Sequence, residues 1–168
     1  MPLARSSPVR RSLVRVFTPL LLVTLALASS ACTVITGIDD DWDLEQRDLD
    51  RARRTWSANF IDDYEYVVRR DCFCTLGGVA VRIVVQNHQV ISREIDGSFT
   101  PVPSSLAYLY PTVDGLFAII QDALDRRADR VDASYDRAYG FPTDFYIDYN
   151  RRIADDEEGY TLIRFRAL

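Results

Sequence analysis

Two cysteines one residue apart, Cys72-Phe73-Cys74, are the first place in this 168-residue chain where chemistry is conceivable. In an oxidising compartment such thiols tend to pair. Residues two apart in an extended strand sit near the upper limit of disulfide Cα spacing, so a bond between them forces a bend. Strained disulfides are the easily reduced ones, which points to a thiol–disulfide exchanger or a redox sensor. The plainer reading is a static loop staple, or two buried thiols. The flanks do not favour catalysis. A Cys-x-x-Cys motif is absent, and Asp71 beside Cys72 opposes thiolate formation, although Arg69 and Arg70 offset it.

His88 is the only histidine, so any histidine-assisted nucleophile has to use it. It lies in an Asn87-His88 turn, a place that suits a solvated residue. Asp136, Asp144, Asp148, Asp155, Asp156, Glu157 and Glu158 fall on the last three strands and their loops. Convergence of these hard oxygens would suit calcium, although such a run is usually a solvated loop. Asp39-Asp40-Asp41-Trp42-Asp43 is no EF-hand, since Leu44 stands where glycine is needed. Zinc lacks a second ligand pair beside Cys72 and Cys74. No cofactor and no catalytic set are expected. Nine tyrosines remain. Tyr135, Asp136, Tyr139, Gly140, Phe141, Tyr146, Asp148, Asp155 and Asp156 form a candidate binding surface, against the alternative that the aromatics are architecture.

The start of the chain carries a different signal. Met1 to Arg15 is basic and free of acids, Val16 to Ala28 is almost continuously apolar, and Ser29-Ser30-Ala31-Cys32 follows. This is the three-part plan of a secretory signal. The apolar run is shorter than the ~20 residues a membrane span needs, and Pro19 interrupts it. Ser29-Ser30-Ala31-Cys32 resembles the lipobox of bacterial lipoproteins, with Ser29 at the place usually held by leucine. The resemblance implies cleavage before Cys32, diacylglycerol on its thiol, and a lipid tether worth about 0.8 kcal/mol per buried methylene. Thr33 follows, where aspartate often retains such proteins at an inner membrane. In a cell with two membranes the expectation is therefore the outer one. Residues 1–31 are read as signal peptide, 32–38 as lipidated tether and 39–168 as one domain.

Charge argues against nucleic-acid binding. All 20 basic residues are arginine and four precede Cys32, leaving 16 against 25 acids, a net charge of −9. So acidic a domain is a poor partner for phosphate backbones or anionic lipid and needs another anchor.

The elements that must position these residues follow from periodicity. Asp39 to Phe60 reads as a helix, with Trp42, Leu49, Ala52, Trp56 and Phe60 on one stripe. Strands follow over Tyr64 to Arg70, Val79 to Val85 and Val90 to Ile95. Ser98 to Pro111 is a loop with three prolines. Thr112 caps a second helix from Val113 to about Ala128, with Val113, Leu116, Phe117, Ile120 and Leu124 inward. Strands close the chain over Arg130 to Tyr135, Thr143 to Tyr149 and Tyr160 to Phe165. Hairpin-length links favour an antiparallel sheet. The expected fold is α+β: two helices on one antiparallel sheet of about six strands, in the order α-β-β-β-α-β-β-β. The order raises a duplicated unit, without any residue-level repeat.

Several phrases occur in sequence: Trp56, Tyr64-Glu65-Tyr66, Cys72-Phe73-Cys74 and Thr112-Val113-Asp114-Gly115-Leu116-Phe117. Tyr135-Asp136, Tyr139-Gly140-Phe141-Pro142, Ile147-Asp148-Tyr149 and Ala154-Asp155-Asp156-Glu157 continue the series. Together, behind a lipoprotein leader, they resemble a family of bacterial envelope proteins, domain of unknown function 6174. The resemblance implies the domain and the address, and no mechanism. The expected role is a non-catalytic envelope module. It would be anchored to the membrane by its N-terminal lipid and bind another envelope protein, a peptide or a cell-wall component. Thiol–disulfide exchange and a calcium-stabilised domain are the alternatives.

Overall fold

The computed structural model describes residues 41–153 and 155–168. The expected signal peptide and tether, and with them Cys32, lie outside the described residues. Two α-helices, α1 (Asp41–Ala58) and α2 (Val113–Asp125), accompany six strands: β1 (Tyr64–Asp71), β2 (Ala80–Gln86), β3 (Gln89–Ile95), β4 (Arg130–Tyr135), β5 (Pro142–Asp148) and β6 (Glu157–Ala167). The strands form one antiparallel sheet in the order β3-β2-β1-β6-β5-β4. The fold is α+β, with the element order read from the sequence. Each half occupies one side of the sheet, and both cross it in the same sense, β1 to β3 and β4 to β6 each stepping toward the β3 edge. Equivalent strands β1 and β4 point in opposite directions, so no simple translation relates the halves.

The core lies between one sheet face and the helices. Tyr64, Tyr66 and Val68 on β1, Val81, Ile83 and Val85 on β2, and Phe145 and Ile147 on β5 point into it. Their period of two is that of a half-buried strand. From the helices come Leu49, Ala52 and Trp56, and Val113, Leu116, Phe117, Ile120, Ala123 and Leu124. Thr112 caps α2 by accepting from the Gly115 amide at 3.2 Å. Gln46 and Gln121 exchange amide hydrogen bonds of 3.1 and 2.8 Å between the helices, and Arg53 donates to Gln121 and to the Phe117 carbonyl.

Four expectations change. Phe60 leaves the core stripe: α1 ends at Ala58, Phe60 takes a left-handed φ of 50°, and it is 85% exposed. The proline-rich loop contains a short 3-10 turn over Ser104–Leu109. α2 stops at Asp125, three residues early, and Trp42 Nε1 donates to the Ala128 carbonyl beyond its end. β6 is longer than its apolar pattern suggested, because β1 and β5 pair with it on both sides and carry it through charged residues.

The proline-rich crossover is pinned by tyrosines. Tyr160 donates to the Leu109 carbonyl at 3.1 Å, Tyr66 donates to the Pro111 carbonyl, and Tyr64 accepts from the Val113 amide at 2.9 Å. Three hydroxyls from β1 and β6 thus hold alternate backbone groups of residues 109–113. Burial pushes Tyr64 and Tyr160 up to about 12.

The outer sheet face is a ladder of charges. Glu94 pairs with Arg82 at 2.6 Å, Arg82 lies 4.0 Å from Glu65, and Glu65 pairs with Arg166 at 3.1 Å. Val67 is buried on this face because its cross-strand neighbours are Arg82 and Arg164, whose stems shield it. The exposed Ile91 and Ile163 are the extra residues of β-bulges, left without a register partner.

Candidate functional site

The Cys72–Cys74 loop joins β1 to β2. The two cysteines form a disulfide with a Cα–Cα distance of 5.3 Å, within the usual range. The loop folds back on itself: the Gly77 amide donates to the Cys74 carbonyl at 2.9 Å and the Gly78 amide to the Arg70 carbonyl at 2.8 Å. A side chain at Gly77 would run into the Cys72 and Cys74 carbonyls, so this close return needs glycine. Phe73, between the cysteines, is 93% exposed.

One charge reaches the sulfurs from below. Arg70 lies on the core-facing side of β1 and is only 6% exposed. Its Nη1 stands 3.5 Å from Cys74 Sγ, its Nε donates to the Tyr160 hydroxyl at 3.0 Å, and its Nη2 is 3.5 Å from Glu158. Tyr149 reaches the other Glu158 oxygen at 3.4 Å. Arg69 does not share this task. It points to the outer face and pairs with Asp71 at 2.7 Å, holding that carboxyl below its ordinary range. Thr161 also touches Asp71 and Asp144, each at 2.9 Å. The expectation that both arginines offset Asp71 beside the sulfurs thus divides: Arg69 answers Asp71, and Arg70 faces Cys74. Sequence reasoning did not single out Tyr160 or assign Glu158 to this arrangement. A signal existed: Arg70 shares its parity along β1 with Tyr64, Tyr66 and Val68, so a cation was bound to point inward.

The residues expected to form one binding surface are separated. Tyr135, Asp136, Tyr139, Gly140 and Phe141 lie at one end of β5. Asp148, Asp155 and Asp156 lie at the other, seven residues of strand away, roughly 20 Å at ~3.3 Å per residue. The first group is largely architectural. Phe141 is buried and stacks on Phe165 at 4.4 Å. Asp136 accepts from the Ala138 and Tyr139 amides at 2.9 and 2.7 Å, forming the turn. Gly140, at φ +86°, packs against the α1 backbone. Tyr146 lies on the outer face under Arg130, 5.3 Å from its ring centroid. Asp148 is nearly buried, and its Oδ1 has no partner among the described residues. Asp155 takes a left-handed φ in an exposed loop.

Among the described residues no three acids, histidines or cysteines come together to hold a metal ion. His88 sits in the expected turn with Asn87, both at positive φ, and its Nε2 is 3.0 Å from Asp62 on the surface. No helix of the described residues is long and apolar enough to cross a membrane.

The two sheet edges differ. Along the last three residues of β3 the chain covers its own edge: Ile95 donates to Thr100, Val102 donates to Arg93, and Glu94 bridges to Pro101. Among the described residues β4 pairs only with β5. Beside its outer edge runs a groove of about 420 Å³ whose lining includes Asp48, Arg51, Thr55, Tyr135, Asp136 and Arg137. The Glu45 carboxyl lies near the Ala133 amide of β4, and its Oε2 has no hydrogen-bond partner among the described residues. Burial, with Asp48 and Asp132 nearby, raises its carboxyl above the ordinary range.

Fold and loop define a two-layer α+β domain with a disulfide-closed hairpin loop over a buried arginine. Residues 48–167 match the family described as family of unknown function (DUF6174), and the chain belongs to that family. No curated protein and no solved structure matches it.

Proposed function

We propose that this protein is a non-catalytic binding module of the bacterial cell envelope. Lipid on Cys32 tethers it to the extracytoplasmic face of a membrane, the outer one where the cell has two. The leader and the Ser29-Ser30-Ala31-Cys32 box support that address. Its partner is an extended segment of another envelope protein, taken up along β4. The observation that carries this reading is the asymmetry of the sheet among the described residues: residues 100–102 cover the end of the β3 edge, and β4, paired on one side, borders a groove of polar and aromatic side chains. A free edge is a template for strand addition, in which backbone hydrogen bonds give affinity and flanking pockets give choice. The Glu45 carboxyl lies near Ala133 of this edge.

Two measurements test the reading separately. Intact mass of the protein from its own cell's membranes should show acyl groups on Cys32; a free Cys32 removes the tether. For the partner, a photo-reactive side chain at Arg137 should give a reproducible cross-link in intact cells. Ala133→Pro, which blocks edge pairing, should abolish it, and Glu45→Ala should raise its yield. A cross-link indifferent to both substitutions in variants that still melt cooperatively would sink the binding edge.

A further inference from the structure

We propose that Cys72–Cys74 is an exchange-active disulfide, in which Cys72 receives an incoming thiolate and Cys74 departs as a thiolate held by Arg70. The substrate class is a cysteine pair on another exported protein. Three observations converge. The disulfide lies in an exposed loop, with Cys72 half-buried yet open to solvent, Cys74 exposed, and Phe73 projecting between them as an apolar contact for a partner. A buried guanidinium donates to one sulfur: Arg70 Nη1 is 3.5 Å from Cys74 Sγ. Tyr160 fixes that guanidinium at 3.0 Å, so its charge cannot swing away into water. A thiolate leaves more readily when a fixed cation stabilises it, and the sulfur attacked is the one opposite the better leaving group.

The step balances as follows. A partner thiolate attacks Cys72 Sγ; a new S–S bond forms, the Cys72–Cys74 bond breaks, and its electron pair stays on Cys74 Sγ beside Arg70. The partner's second thiol loses its proton to solvent and attacks the partner's own sulfur in the mixed disulfide. Cys72 leaves and takes up a proton from solvent. The partner's dithiol is oxidised by two electrons to a disulfide, and Cys72 and Cys74 are reduced. The exchange is stoichiometric and reversible. It is independent of the β4 edge and of the lipid on Cys32.

The test is peptide-resolved alkylation by iodoacetamide on the full chain, in Cys72→Ser and Cys74→Ser variants, from pH 5 to 9. Cys74 alone should react at least about tenfold faster near pH 6.5 than Cys72 alone, because its thiolate forms below the ordinary value of about 8.5. Glu158→Gln, which frees Arg70 from a competing carboxylate, should raise the Cys74 rate further and leave Cys72 unchanged. Reduced glutathione, followed by acid quench, should trap the mixed disulfide on Cys72 in the wild-type chain. Equal, ordinary rates for the two cysteines, or an adduct chiefly on Cys74, would overturn the proposal and leave the bond as a loop staple. Arg70→Met is the more direct change, but it empties a buried site; the readouts on Cys74 and Glu158→Gln do not depend on its folding.

Discussion

Gly140 shows how much a single residue position can demand. It holds a left-handed φ of +86°, and a Cβ there would strike the Ala52 carbonyl and the Trp56 amide of α1. Gly140→Ala combines the left-handed penalty of about 1–2 kcal/mol with a clash against backbone that cannot yield. We expect a loss of several kcal/mol on the scale of large single-residue effects, read as a lowered urea midpoint with an unchanged slope. A midpoint within experimental error of wild type would mean that α1 does not pack against this loop. Tyr160 is the complementary case. Its hydroxyl accepts from Arg70 and donates to Leu109 in the core. Tyr160→Phe leaves both groups short of a partner, at a cost of about 1–3 kcal/mol. It also frees Arg70 and should blunt the preference for alkylating Cys74.

At the scale of elements, the second helix and the proline-rich crossover behave as one unit. Thr112 caps α2, and the residues just before it are clasped from the sheet by Tyr66 and Tyr160. Thr112→Ala removes one cap bond and should cost about 1 kcal/mol. The expected readout is a lowered melting temperature with the native circular dichroism retained below it; an unchanged melt would show that the tyrosine clasp alone suffices. The aromatic segments legible in the sequence therefore serve mostly to dock elements. Phe141, Phe165 and Trp56 pack where α1 meets β6 and the β4–β5 loop, with ring centroids 4.4 Å apart for Phe141–Phe165 and 5.8 Å for Trp56–Phe165.

The whole molecule has an alkaline limit set by its tyrosines. Burial pushes Tyr64 and Tyr160 up to about 12, and Tyr66 well above its ordinary value. Unfolded tyrosines ionise near 10. Below that pH both states are protonated and the stabilisation is complete. Between about 10 and 12 the unfolded chain releases protons that the folded one keeps, so stability falls by up to about 1.4 kcal/mol per pH unit for each such group. Unfolding and the rise of tyrosinate absorbance should coincide on raising the pH through this window. Tyrosinate from these buried groups at pH 10 in a still-folded protein would contradict the clasp. The outer charge ladder should matter less, because exposed ion pairs are worth at most about 1 kcal/mol each.

The sequence by itself determined which segments are helix and strand and which faces they bury. Val81, Ile83 and Val85, or Leu116, Phe117 and Ile120, announce their inward faces through local periodicity, which depends only on neighbours along the chain. It also exposed the Cys72–Cys74 pair and the Asn87-His88 turn. It could not say which strands meet, because pairing β1 with β6 joins residues a hundred positions apart and leaves no local pattern. That pairing brings Tyr160 and Glu158 beside Arg70 and thereby places a fixed charge against one sulfur. The same long-range order set Asp136 and Asp148 at opposite ends of β5, dividing a surface that looked continuous along the chain. Among the described residues it left β4 paired on one side alone. Which groups share a site is decided by sheet order and register, and those are fixed only when the whole core closes.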